Sequence, residues 1–202
     1  MRRNHARAAA VSACGSGTSP AGGGAPPPAA SGTATSTPSR AFNAADVAFA
    51  AGMLRLDGQA RAMAALVAGH TAMTQLRHYA ARLLGHDADA RYMRDPMTLW
   101  HPRPPAPYAP GAAPPSCMGP GMMDSHDWAD MGRQHGHDFN DHWLDAMTAN
   151  HIAEIALCRA ELTAGASPQA RNLARTMLRL RQAELTQLRH WRHSQEHHAG
   201  HN

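Results

Sequence analysis

Six residues recur with a single change: Thr74-Gln75-Leu76-Arg77-His78-Tyr79 and Thr186-Gln187-Leu188-Arg189-His190-Trp191. A second echo precedes each copy, Phe42-Asn43 in "AFNAADVAFAAGMLRL" and Phe139-Asn140 in "DFNDHWLDAM". Two echoes in the same order mark an internal repeat, one unit over 42–85 and another over 139–192, with the first cut short. Each Phe-Asn pair reads as a helix start. The Asn offers an N-cap oxygen, an acid follows in the first turn, and the Phe can staple onto the next apolar residue.

The second unit reads as a helical hairpin. Its first helix is expected from Asp141 to about Thr163 and stops at Gly165, the residue type that most readily ends a helix. Ser167 caps the next helix and Pro168 occupies its first turn, where the missing N–H does no harm. Leu173, Met177, Leu180, Glu184, Leu188 and Trp191 then recur at helical spacing. The first unit is a shorter hairpin with its break near Gly69. No segment alternates with the period of two that a strand needs. The expected fold is therefore all-α, a four-helix bundle in which two unequal antiparallel hairpins bury each other's apolar stripes.

The remainder of the 202 residues is built differently. Residues 1–14 resemble an export signal, with Arg2 and Arg3 at its start and Val11-Ser12-Ala13-Cys14 resembling the lipobox whose cysteine is lipidated. Residues 15–40 are Gly, Pro, Ser, Thr and Ala without periodicity, and read as a disordered tether. The first hairpin is assigned to 41–92 and the second to 139–195. Between them, 93–138 is a Pro/Gly/Met/His-rich linker, and 196–202 form a His-rich tail. No apolar stretch approaches the ~20 residues that span a bilayer. The chain is thus expected outside the cytoplasm, as a membrane lipoprotein anchored through Cys14 or in secreted form.

Charge narrows the partners. The net charge of +4 comes entirely from Arg, since there is no Lys, and the arginines lie among acids along helical segments. No basic run with interleaved aromatics is present, so nucleic acid is excluded as a partner. Three cysteines at wide spacing give neither a disulfide framework nor a zinc finger. That leaves a metal ion, a membrane surface and a second copy of the chain.

Met and His are concentrated in "MGPGMMDSHDWADMGRQHGHDF". Met118, Met122, Met123, His126, Met131, His135 and His137 carry soft or borderline donors, and copper is the ion that favours both types. Gly119, Gly121, Gly132 and Gly136 suggest a mobile loop that wraps an ion rather than a preformed cage. The tail adds His190, His193, His197, His198 and His201.

"FNAADVAFAAGM", "QARAMA", "MTANHIAEIALC", "SPQARNLARTML" and "AELTQLRHW" resemble the domain of unknown function 305 family (DUF305), exported bacterial proteins with a ferritin-like helical bundle. The resemblance covers about 42–84 and 139–192. Its signature, approximately Met-Ile-x-His-His-x-x-Ala-Ile-x-Met-Ala with Glu-Ile-x-x-Met-x-x-Trp on the next helix, is degenerate in this sequence. Met53 and Met63 match, but Leu56-Asp57 stand where the His pair belongs. In the second unit Met147 matches, the pair is Asn150-His151, Leu157-Cys158 replace Met-Ala, and Glu184 keeps the acidic position that is Ala72 in the first. Some members are associated with copper, so the resemblance implies a second candidate centre. Met147, His151 and Cys158 share one helical stripe, with Glu154 beside it and Glu184 facing it from the partner helix. Against this stands His151 as an ordinary core residue.

An enzyme is not expected. A di-iron oxidase needs Glu-x-x-His pairs, whereas "HIAE" runs the other way, and no Gly-x-Ser-x-Gly or phosphate loop is present. The reading is a non-catalytic, copper-binding exported bundle; the alternative is a metal-free bundle that serves protein contacts.

Overall fold

The structure, a computed structural model, describes residues 42–85 and 119–199, the side chains of 196–199 excepted. Among the described residues there are five helices and no strand: α1 (Ala44–His70), α2 (Thr74–Gly85), α3 (Ser125–Met131), α4 (Gly136–Ala164) and α5 (Pro168–Ala199). α4 and α5 lie along each other most extensively, α1 packs on α4, α2 on α1, and short α3 on α4. The export segment with Cys14, the 15–40 tether, Met118 and residues 86–117 lie outside the described residues, as do the side chains of His197 and His198.

The start of α1 follows its residues. The Asn43 side chain accepts from the backbone N–H groups of Ala45 and Asp46, and the Asp46 side chain accepts from the Asn43 N–H, a reciprocal capping box. α5 begins as expected, with Ser167 Oγ accepting from Ala170 N at 3.3 Å and Pro168 in the first turn. α4 does not. Asn140 lies inside the helix rather than capping it, because α4 starts a full turn earlier, after His135, with Asp138 in its first turn. The earlier start puts Phe139 and Trp143 on one helical face, and both are fully buried. Gly165 ends α4 at φ −67, so it serves as a C-cap in ordinary extended backbone and not in the left-handed form.

The largest correction concerns the linker. Its last part, 119–138, is neither irregular nor free of core. Met123, Trp128 and Met131 are buried among Tyr79, Phe139, Trp143 and Met147. Gln59 on α1 clamps the approach: its side chain donates to Gly121 O at 2.9 Å and accepts from Met123 N at 2.6 Å. Gly121 is needed there, since its φ is +79 and a Cβ would run into Ala153 and the Ala149 carbonyl of α4. Met123 and Met131 are therefore core residues, and their thioethers face apolar neighbours instead of a wrapping loop.

The buried apolar residues fall into two clusters. One joins Met63, Val67, Leu76, Tyr79, Met131, Phe139, Trp143, Leu144, Met147 and Leu188. The other joins Phe49, Met53, Cys158, Ala170, Ala174 and Met177. The repeat explains part of the first, because Leu76 and Leu188 are equivalent and both fully buried. Tyr79 and Trp191 are equivalent too, and their rings meet edge to face at 6.0 Å.

Truncation of Met131 to Ala should cost about 2–5 kcal/mol, the range for emptying a buried site of this size. His126→Ala, at an exposed position, should stay within about 0.5 kcal/mol. Urea denaturation followed by circular dichroism separates the two; equal and small effects would return the segment to a coreless loop.

Candidate functional site

Between the two apolar clusters lies a polar layer. α4 contributes His151 and Glu154 and α5 contributes Arg181 and Glu184, all projecting between the helices. His151 is 0% exposed, Arg181 6% and the Glu184 side chain 18%. The His151 Nδ1 lies 2.9 Å from Glu154 Oε2. Its Nε2 lies 2.7 Å from the Tyr79 hydroxyl and 3.3 Å from Glu184 Oε2. Arg181 spans both carboxylates, with Nε 2.6 Å from Glu154 Oε2 and Nη1 2.7 Å from Glu184 Oε2. Asn150 closes the layer toward α1 by donating to the Leu56 carbonyl at 3.0 Å.

The charges balance when His151 is protonated: an imidazolium and a guanidinium against two carboxylates. Burial works against the His151 charge, but bonds to Glu154 and Glu184 outweigh it and hold the imidazole above its ordinary 6.5. Burial likewise opposes the charge on Glu154, yet Arg181 and His151 keep it ionised below the usual range. The same partners hold Glu184 at about 2. Cys158 is shifted the other way, to about 12, by burial and then by the nearby charge of Glu154. It is a protonated, buried thiol and neither a nucleophile nor a thiolate ligand at neutral pH.

The layer is not sealed. A cavity of about 550 Å³ between α2 and α5 is lined by Tyr79, Arg82, Leu180, Arg181, Glu184 and Asp57. It opens onto Tyr79 and Glu184, the two residues that face His151 Nε2.

The predicted metal residues do not come together. Met147 and Cys158 sit in different apolar clusters, one on each side of His151. Both His151 nitrogens are engaged, and a guanidinium stands where a cation bridging Glu154 and Glu184 would stand. Within this layer the acceptors left without a hydrogen-bond donor, Glu154 Oε1 and Asn150 Oδ1, are hard oxygens unsuited to copper(I). The centre as built does not fit a soft metal. Of the loop residues, Met122 is half-buried while His126, His135 and His137 are exposed. His126 pairs with Asp130 at 3.2 Å and His137 with Asp141 at 3.5 Å. His135 stacks on His70 at 4.7 Å between ring centres, and His70 stacks in turn on Phe139 at 4.9 Å. Among the described residues no three of His, Cys, Asp and Glu are grouped to hold an ion. No helix among them is long and apolar enough to cross a membrane.

Arg181 and Tyr79 were not foreseen. Arg181 looks like any helical arginine in sequence; its signal is the paired i,i+3 spacing of His151-Glu154 and Arg181-Glu184, two complementary pairs on helices joined by a short turn. Tyr79 could have been found from its repeat partner Trp191.

The fold belongs to a recognised class. The family model for the domain of unknown function DUF305 matches residues 46–192, and the chain belongs to that family. Among solved structures it is similar to a DUF305 protein from Streptomyces coelicolor, inferred to be secreted, with a TM-score of 0.62 and 22% identity. That likeness covers 75% of this chain and 92% of the other, and it concerns the fold. No curated protein matches.

Arg181→Met should cost about 3–5 kcal/mol, because it leaves two buried carboxylates facing one imidazole. The pH profile has two limbs. The His151 contribution is complete below about pH 6.5 and is lost as pH rises through its raised value. The Glu154 and Glu184 contributions are present above about pH 4.5 and are lost as pH falls. Thermal unfolding should therefore peak between those limits, and His151→Gln should remove part of the alkaline limb. An unchanged profile in that variant would count against a charged His151.

Proposed function

We propose that this chain is a non-enzymatic DUF305 module working outside the cytoplasm, a ferritin-like four-helix bundle to which α3 adds a prop. Its polar centre is a structural layer, and its work is done through protein contacts at the membrane or cell surface. The observation that carries this is the position of Arg181, whose guanidinium already bridges the two carboxylates that a metal would need. Catalysis is unsupported by the same groups. The buried Cys158 thiol is protonated, and the imidazole is held by partners on both nitrogens. The extracytoplasmic assignment rests on the lipobox-like Val11-Ser12-Ala13-Cys14 and on the inferred secretion of the Streptomyces protein.

A second reading keeps copper, away from the centre. It is favoured by the stacked His70 and His135; the exposed His137 and the C-terminal His193 also carry imidazoles at the surface. His70 Nδ1 is engaged by the Gln134 carbonyl at 2.7 Å, so a bound ion would use its other nitrogen. Such a site would be loose and would take its ligands as neutral imidazoles.

Equilibrium dialysis of the full chain against Cu(I), Cu(II) and Zn(II), read by elemental analysis, decides between the two. The first reading expects no stoichiometric metal and no effect of His151→Ala on uptake. One tightly held equivalent that is lost on His135→Ala would establish the second reading. An equivalent lost on His151→Ala would overturn the structural reading of the polar layer.

A further inference from the structure

A second group of buried acids lies at the far end of the fold from Trp143, where α1 begins and α4 turns into α5. Asp46 is fully buried and gathers three backbone donors: Asn43 N at 2.5 Å, Ala166 N at 3.2 Å and Ser167 N at 2.9 Å. Asn43 adds a fourth tie by donating its side-chain amide to the Ala164 carbonyl at 2.7 Å. The start of the first repeat is thereby fastened to the turn of the second. Against Asp46 lies Glu161 of α4, only 1% exposed. Among the described residues no N–H or hydroxyl donor reaches either of its oxygens. Its carboxyl sits at Gly165, beside the Ala166 and Ser167 amides that bond to Asp46, so the two acids share one turn. The room for it exists because residue 165 is glycine, where any Cβ would overlap the Glu161 carboxyl.

Two carboxylates in contact with no donor between them cannot both be ionised at small cost; one proton turns the repulsion into a short, charge-assisted bond. We propose that this pair is a proton-operated clasp: a single proton shared by Asp46 and Glu161 holds the α4–α5 turn to the start of α1, and its loss loosens that joint.

The titration has the matching asymmetry. Burial would raise Asp46, but the backbone donors of Asn43, Ser167 and Ala166 and the bond from Glu161 keep it below the usual range, so Asp46 is the ionised partner. Glu161 is pushed to about 7, by burial first and then by the bond and charge of Asp46. The charged group facing the pair from α5 is Arg171, which pulls Glu161 down only in part and spends one guanidinium nitrogen on the Leu162 carbonyl at 3.3 Å. Glu161 binds its proton more tightly in the closed clasp than in the open chain. The clasp is thus closed below about pH 4.5 and is lost as pH rises through about 7. Unlike the polar layer, it fastens one turn to one helix start, so its opening is local.

The direct test is carboxyl carbon NMR of Glu161 in the intact protein, with amide exchange at Ala166 and Ser167 corrected for intrinsic rates. A Glu161 titration near pH 7 is expected. Exchange protection at the two amides should fall at least about tenfold from pH 5 to pH 8, since a carboxyl raised from 4.5 to about 7 binds its proton more than tenfold more tightly. Glu161→Gln supplies a permanent amide donor to Asp46 and should make that protection independent of pH. A Glu161 titration near 4.5, or identical pH dependence in the wild type and the Gln variant, would overturn the proposal. Should the variant not fold, the wild-type titration alone decides. The His151 layer cannot mimic the result, because its titration does not act on these two amides selectively.

Discussion

The fold hangs on one buried ion layer. Arg181 joins Glu154 to Glu184 and His151 reaches both carboxylates from the other side, so four charges sum to zero inside a largely apolar interior. Apolar packing alone would let α5 slide by a turn along α4, since Leu, Met and Ala exchange places at modest cost. The ionic layer forbids it. A shift of one turn would strand buried charges, at several kcal/mol each. The two clusters on either side are thereby fixed in register, which fits the use of buried polar groups as registry devices more than as sources of net stability.

Most of the helical plan was legible in the sequence because it is written locally. Asn43 with Asp46, Ser167 with Pro168 and the repeated Thr-Gln-Leu-Arg-His run act within a turn or two of themselves. The failures came where distant residues decide. Asn140 carries the same signal as Asn43, yet Phe139 and Trp143 find more burial inside a longer helix, and tertiary packing overrides the cap. The Met-Gly segment before α3 has the composition of a tether, and nothing local reveals that Gln59, some 60 residues earlier, clamps it to the core.

The candidate site was half legible for a related reason. An inward His with Glu154 beside it and Glu184 opposite is readable from helical periodicity. The identity of the cation is not. Metal and guanidinium both satisfy a pair of facing carboxylates, and an arginine on a helix is ordinarily solvated, so its burial leaves no trace in composition. Methionine misleads in the same way, because a thioether is both a soft ligand and a pliable core filler. Met123, Met131 and Met147 are used as fillers.

Arg181 also sets what kind of centre this can be. A metal between Glu154 and Glu184 would bind and leave with its free concentration and would tie stability to supply. A guanidinium is covalently part of the chain, charged at every physiological pH, and planar enough to reach both carboxylates at once. It makes the layer permanent. The exchangeable ion left in it is the proton on His151, whose partners Tyr79 and Glu184 line a cavity. A centre of this build responds to acidity through His151, and its ion pairs tie α4 to α5 across the interior.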